Sequence, residues 1–219
     1  MRLKHFPDKP WEQDPKRLVE WDRSGNYNCQ QKIDGWRTVI ILTETGIEYL
    51  SRHDKSLDRD IEPEVKADAL ALKDVFPAGT QIDAEWLSRR SCSKEYNLRP
   101  MLYLLDIMRH GGEWLLAKPY RERQAILKDG MAQRDRDLLA EGGDLGKNRI
   151  ALPLTAESGK FAAFYEAQMS IPYSEGVVVK HLDSKIVGNR KECVKNPLIF
   201  KVKYRAGADG TQRLDHLKR

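Results

Sequence analysis

Three strand-like runs, YNCQQKI, WRTVIIL and IEYLSR, lie between Tyr27 and Arg52, separated only by Asp34-Gly35 and Glu44-Thr45-Gly46. Short β-branched and alternating runs cut by Asp-Gly and Thr-Gly are the pattern of successive antiparallel strands. A stretch of this kind has to bury at least one sheet face, which constrains the rest of the chain to supply the cover. Further strands are predicted near Thr80 to Leu87, Met101 to Met108, Glu175 to Lys180 and Ile199 to Lys203. Asp14-Pro15 offers a cap and a first-turn proline for a short helix through Trp21. Helical spacing recurs over Glu62 to Lys73, with Val65, Leu70 and Leu72 on the apolar side, over Pro119 to Leu127, and over Arg134 to Glu141. It recurs again over Ser158 to Ser170, where Phe161, Phe164 and Tyr165 stand at core spacing. The residues up to about Asp14 read as an irregular arm. Mixed strands and helices argue for an α+β fold, a sandwich of antiparallel sheets with helices outside.

Composition narrows the function classes. With 219 residues, 40% of them hydrophobic and 32% charged, the chain can bury a core without disulfide or metal staples. The net charge of +5 fits a polyanionic partner without requiring one. Cys29, Cys92 and Cys193 cannot form a fully paired framework, so reduced thiols in a cytoplasmic compartment are expected. The five histidines are scattered, and no Cys/His cluster has zinc spacing. The polar start, MRLKHFPDKPWEQD, is not a signal peptide, and no apolar run approaches the length of a membrane span.

The residues with chemical potential begin with Lys32-Ile33-Asp34-Gly35-Trp36-Arg37. A lysine at a strand end, followed by an Asp-Gly turn, can stand exposed at a sheet edge with Arg37 on the same side. Lysine attacks phosphorus only as the free amine, and a reference pKa near ~10.4 leaves well under ~0.1% in that form at neutral pH. A nucleophilic lysine therefore needs neighbouring cations or desolvation. Taken alone, the hexapeptide fits a solvated hairpin as well as a nucleophile. Asp83 and Glu85 in IDAEWL share one strand face, opposite Ile82, Ala84 and Trp86. SEGVVVK sets Glu175 and Lys180 at the two ends of a buried-looking strand, and FKVK sets Lys201 and Lys203 on one face of another. Carboxylates for a magnesium ion and several cations for a triphosphate are what nucleotidyl transfer requires.

These segments, in this order, resemble the ATP-dependent DNA ligases and their relatives, the RNA ligases and mRNA capping enzymes. KIDGWR is similar to the family's KxDGxR, SRHDKSL to the motif after it, IDAEWL to its acidic strand, LYLLDIM to its aromatic-Asp segment, EGVVVK to its EG(L/I/V)(M/V)(V/A)K and FKVK to its terminal KxK. The likeness runs from about Tyr27 to Tyr204. It implies a nucleotidyltransferase fold, the ATP-grasp-like ligase catalytic core of antiparallel sheets flanked by helices. The implied activity is that of an ATP-dependent DNA ligase: AMP passes from ATP to Lys32, then to a 5′-phosphate, which is joined to a 3′-OH. An RNA ligase of the same superfamily, or a non-catalytic module that binds nucleotide or nucleic-acid ends, are the alternatives, with a capping guanylyltransferase behind them.

The resemblance also implies roles. Lys32 would carry the phosphoramidate, assisted by Asp34, while Lys201 and Lys203 would grip the α-phosphate and favour the free amine. Gln30 would read the adenine edge, where many DNA ligases have glutamate. Ile33, Arg37, Arg52 and Lys180 would lie against the nucleotide. Glu85 would hold ribose, and Glu85 and Glu175 would position magnesium, for which manganese can substitute. Leu105 stands where the family has an aromatic on adenine, with Tyr103 on the same face by period two. Expected partners are nicked duplex DNA or other polynucleotide ends, met by a monomer in the cytoplasm, or in the host cell interior for a viral chain. Residues 1–205 would be the adenylyltransferase domain and 206–219 a short basic tail. The family's oligonucleotide-binding (OB-fold) barrel does not fit in the 219 − 203 = 16 residues after Lys203, so the resemblance implies a catalytic core alone, by nature or by truncation, with a separate OB-fold partner as one source of the barrel.

Overall fold

The computed structural model describes residues 5–88, 98–188 and 192–204. Strand β1 (Lys9–Glu12) and helix α1 (Arg17–Ser24) precede β2 (Tyr27–Ile33), β3 (Trp36–Leu42) and β4 (Ile47–Ser51). Helices α2 (Pro63–Ala69) and α3 (Leu72–Val75) lead to β5 (Gln81–Leu87), β6 (Met101–His110) and the short β7 (Glu113–Trp114). Helix α4 (Tyr120–Ala140), β8 (Ile150–Ala151), α5 (Phe161–Gln168), β9 (Ser174–His181) and β10 (Lys195–Lys203) complete the order.

Two sheets result. One has four strands in the order β1-β10-β9-β2; the other runs β4-β3-β5-β6-β7, with β8 paired to β6. Neighbours are antiparallel except β1 with β10 and β6 with β8. The largest apolar cluster joins one face of the six-stranded sheet, through Ile40, Ile82, Ala84, Trp86, Leu102, Leu104 and Ile107, to Val65, Leu72, Leu127 and Met131 of the helices. A second joins Val177, Val179 and Val202 of the four-stranded sheet to Leu18, Trp21 and Phe161. Helices therefore cover the outer faces, and the inner faces meet each other. This is an α+β fold of largely antiparallel sheets flanked by helices. Among the described residues no helix is long and apolar enough to cross a membrane.

Several expectations are corrected. The opening residues are not an irregular arm: Phe6 and Asp8 are buried, and β1 lies along β10. Strands β2 and β3 do not form a hairpin; the chain leaves one sheet at Ile33 and enters the other at Trp36. Alternation marks a strand but does not name its partner. The helix expected over Glu62 to Lys73 is two helices. The break resets the phase, so that Leu72 is buried and Leu70 is 53% exposed.

The two helices expected over Pro119 to Leu127 and Arg134 to Glu141 are one helix of 21 residues that runs through Gly130. A Cβ at Gly130 would lie 2.3 Å from the Phe76 ring, so this glycine makes room for a packed aromatic and does not end the helix. Cys92, Arg89 and Arg90, and the tail from Arg205 onward, lie outside the described residues.

Candidate active site

The site is built where the two sheets come together. In β2, period-two alternation puts Gln30 and Lys32 on one face. Lys32 and Lys203 both pair in register with Gly176 of β9, so three neighbouring strands bring Lys32, Gly176 and Lys203 into one row. Gly176 has φ +131°, and a Cβ there would lie 2.0 Å from the Val202 carbonyl oxygen. Only glycine fits this backbone. The preceding residue, Glu175, receives Lys32 Nζ in an ion pair on Oε2, and Lys203 Nζ lies 2.9 Å from the same oxygen. Burial acts to raise the Glu175 pKa, but Lys32, a hydrogen bond with Asp34, and Lys203 outweigh it and hold it at about 2.

Gly35 makes the crossing between sheets. Its Cβ would lie 2.6 Å from the Trp86 carbonyl oxygen and 3.0 Å from Glu85 Cγ, so the crossing lies directly on β5. That contact brings Glu85 into the fields of Lys32 and Arg37. Burial pushes the Glu85 carboxyl up to about 7; Arg37 and Lys32 oppose the rise, while Asp83 and Glu175 add to it. Two carboxyls in the field of Lys32 are thus set apart, with Glu175 held as an anion and Glu85 raised by burial.

A small cavity of about 60 Å³ lies between the inner faces, lined by Gln30, two residues along β2 from Lys32, and not by Lys32 itself. Gln30, Val178 and Lys180 line it from one sheet, and Arg37, Asp83, Leu105 and Asp106 from the other. Pro7, Asp8 and Pro10 close one side. Its floor is a buried charge network. Arg37 forks onto both oxygens of Asp83 and reaches the Asp8 carbonyl oxygen at 3.3 Å. Arg123 forks onto Asp106 at 3.0 and 2.8 Å and also donates to the carbonyls of Lys118 and Ser184. Lys180 Nζ donates to the Leu105 carbonyl at 3.0 Å and lies 4.6 Å above the Tyr120 ring. Burial lowers the Lys180 pKa, although Asp106 and Asp83 resist.

The expected site residues divide accordingly. Lys32, Asp34, Glu175, Lys203 and Glu85 gather at the crossing, and Gln30, Arg37, Leu105 and Lys180 line the cavity. Lys201 is turned to β1, with Nζ 3.1 Å from Glu12 Oε2. Arg52 is not brought in: it is exposed, and its Nε donates to His53 at 3.1 Å. Ile33 points away from Lys32 and packs with Leu87 and Tyr103. Tyr103 stacks on Tyr173, with centroids 6.3 Å apart, and does not line the cavity. Asp8, Glu12, Arg123 and Gln124 were not singled out from the sequence. Their partners are distant along the chain, and no local spacing marks them. Among the described residues no group of three or more His, Cys, Asp or Glu could cage a metal ion.

No protein-family model and no curated protein matches the sequence. Solved structures do. Mycobacterial DNA ligase D complexed with ATP is similar at TM-score 0.64 and 17% identity, over 91% of this chain and 60% of that one. The chain has the fold of a DNA ligase catalytic core. The ligase domain of LigD from M. tuberculosis matches at TM-score 0.65 and 17% identity, over 91% of this chain and 59% of that one. The ATP-dependent DNA ligase from bacteriophage T7, in complex with ATP, matches at TM-score 0.54 and 15% identity, over 91% and 68%. This chain thus spans about 60% of the length of the two LigD structures.

Proposed function

We propose that this chain is the catalytic core of an ATP-dependent polynucleotide ligase acting on DNA, with Lys32 as the nucleophile. The observation that carries the reading is the convergence of Lys32 and Lys203 on Glu175 where the chain crosses between the sheets. A lone solvated lysine at a hairpin turn would have no reason to be built this way.

Lys32 Nζ attacks the α-phosphorus of ATP as the free amine, having given its proton to water and released Glu175. The bond from that phosphorus to the α,β-bridge oxygen breaks, and pyrophosphate leaves. Glu175, held near 2, is a poor proton acceptor, so its part is to orient Lys32 and Lys203. Lys203 brings positive charge to the reacting phosphate, where charge preorganised in a partly dry site contributes most; Lys201 joins it on release from Glu12. Gln30 and Leu105 line the space for the base, and Asp34 steadies Glu175. A 5′-phosphate oxygen then displaces Lys32 from the AMP phosphorus, and a 3′-OH attacks the activated 5′-phosphorus with departure of AMP.

Glu85 and Glu175 fit a magnesium or manganese ion. Protein carboxylates in small number, completed by phosphate oxygens and waters, are the usual donor set, and no protein cage is needed. Such an ion would supply neutralisation of the phosphate charge. The polynucleotide is met as a nicked duplex by a monomer in the cytoplasm, and a separate OB-fold partner would add contact area.

Mass spectrometry after incubation with ATP and magnesium tests the reading. One AMP on Lys32, none on Lys32→Ala, and sealing of nicked DNA over nicked RNA are expected. Labelling from GTP and not ATP, or an adduct that survives in Lys32→Ala, would overturn it.

A further inference from the structure

Strand β6 carries one residue more than β5 at the level of the cavity. Ala84 pairs with Leu104 and Asp83 with Asp106, so Leu105 is inserted between them without a partner of its own. An insertion of this kind takes a carbonyl out of the ladder and re-aims a side chain. Leu105 lines the cavity. Its carbonyl accepts two hydrogen bonds from outside the sheet, from Lys180 Nζ and from Gln124 Nε2, each at 3.0 Å. Gln124 lies on α4 and is 5% exposed; it falls in the LLDIM-to-helix stretch that resembles the ligases, which implies no role for it. A primary amide buried between a helix and a sheet is costly unless bonded. The carbonyl it holds accounts for its presence there.

We propose that Gln124 is a positioning residue for nucleotide binding: it holds the Leu105 carbonyl, fixes the inserted residue, and so presents the Leu105 side chain to the base of ATP without touching ATP itself. The proposal rests on the function given above. It concerns Gln124 and not Lys180 because the lysine also faces Asp83 and Asp106, so its removal would disturb the charge network as well. Gln124 is neutral, and its loss removes one hydrogen bond.

The test is the ATP dependence of lysyl-AMP formation by the whole chain, compared among wild type, Gln124→Met, Leu105→Ala and the double variant. Loss of a neutral hydrogen bond implies a half-saturating ATP concentration raised roughly 3–10-fold in Gln124→Met, with the maximal rate within about 2-fold of wild type. Because Gln124 acts through Leu105, adding the substitution to Leu105→Ala should raise it no further. Gln124→Ala, which introduces no new side-chain volume, should show the same split and serves if the methionine is not accommodated. An unchanged ATP dependence, an effect additive with Leu105→Ala, or a loss confined to the maximal rate would each overturn the role while leaving the function intact. Failure of the wild-type chain to form lysyl-AMP would instead remove the function, and this role with it.

Discussion

Lys32 and Lys203 are bound to one and the same atom, Glu175 Oε2, although 171 positions separate them in the chain, since 203 − 32 = 171. Two ammonium groups held this close repel unless the carboxylate between them is ionised. Glu175→Gln removes that charge, and AMP transfer to Lys32 should slow by at least ~10²-fold in single-turnover measurements. The stability consequence has a defined sign. The Glu175 pKa is depressed in the folded chain, so its contribution is present above about 4.5 and is lost as pH falls toward about 2. Glu175→Gln should therefore melt lower than wild type at pH 7, and the gap should close as the pH is lowered through that window.

Glu85 predicts the opposite pH trend. Burial first, then Asp83 and Glu175, lift its carboxyl to about 7, above its value in the unfolded chain. The folded state therefore holds this proton more tightly, and Glu85 becomes a cost as pH rises through 7. Glu85→Gln cannot ionise. Thermal melts should place it a few degrees above wild type at pH 8 and level with it at pH 5. A variant that melts lower at pH 8 would show that Glu85 is stabilised as an anion.

Arg37 forks onto Asp83, whose side chain is only 4% exposed. Removing one member of a buried pair leaves the other charge uncompensated and costs about 3–5 kcal/mol. Arg37→Met should lose stability on that scale in urea titration. Arg37→Met combined with Asp83→Asn should recover much of it. Arg37→Lys should fall between, since an ammonium cannot bond both oxygens as the guanidinium does.

Gly130 sets two effects against each other. Alanine in a helix interior is favoured over glycine by about 1 kcal/mol. Its Cβ, however, would sit 2.3 and 2.4 Å from two Phe76 ring atoms, and overpacking of that degree costs about 1–3 kcal/mol. Gly130→Ala should therefore be destabilising in chemical denaturation. Adding Phe76→Leu should reverse the sign of the alanine effect, because the obstructing ring is then gone.

The sequence by itself determined the seven longer strands, β2 to β6, β9 and β10, but not β1, β7 or β8. Runs such as WRTVIIL and EGVVVK are short, β-branched and bounded by glycine or polar residues, and each is a strand in the structure. It also determined which face of β5 is polar, because Asp83 and Glu85 alternate with Ile82, Ala84 and Trp86, all three of which are in the core; that the polar face is itself buried came only with the fold. Local spacing carries that information because side-chain direction is a period-two property of a single strand.

Only the tertiary structure decided the partners. Lys32 and Arg37 stand on different sheets since Gly35 crosses against Trp86, a contact 51 positions away, 86 − 35 = 51. The Leu105 insertion exists only relative to β5, so no reading of β6 alone could place Leu105 in the cavity and Tyr103 against Tyr173. Asp8, flanked by Pro7 and Pro10, reads as loop. It is buried because Asn196 and the backbone of Val187 and Gly188 meet it there. Pairing, register and burial of a charge depend on groups brought together from far along the chain, and those groups leave no periodic trace in the residues beside them.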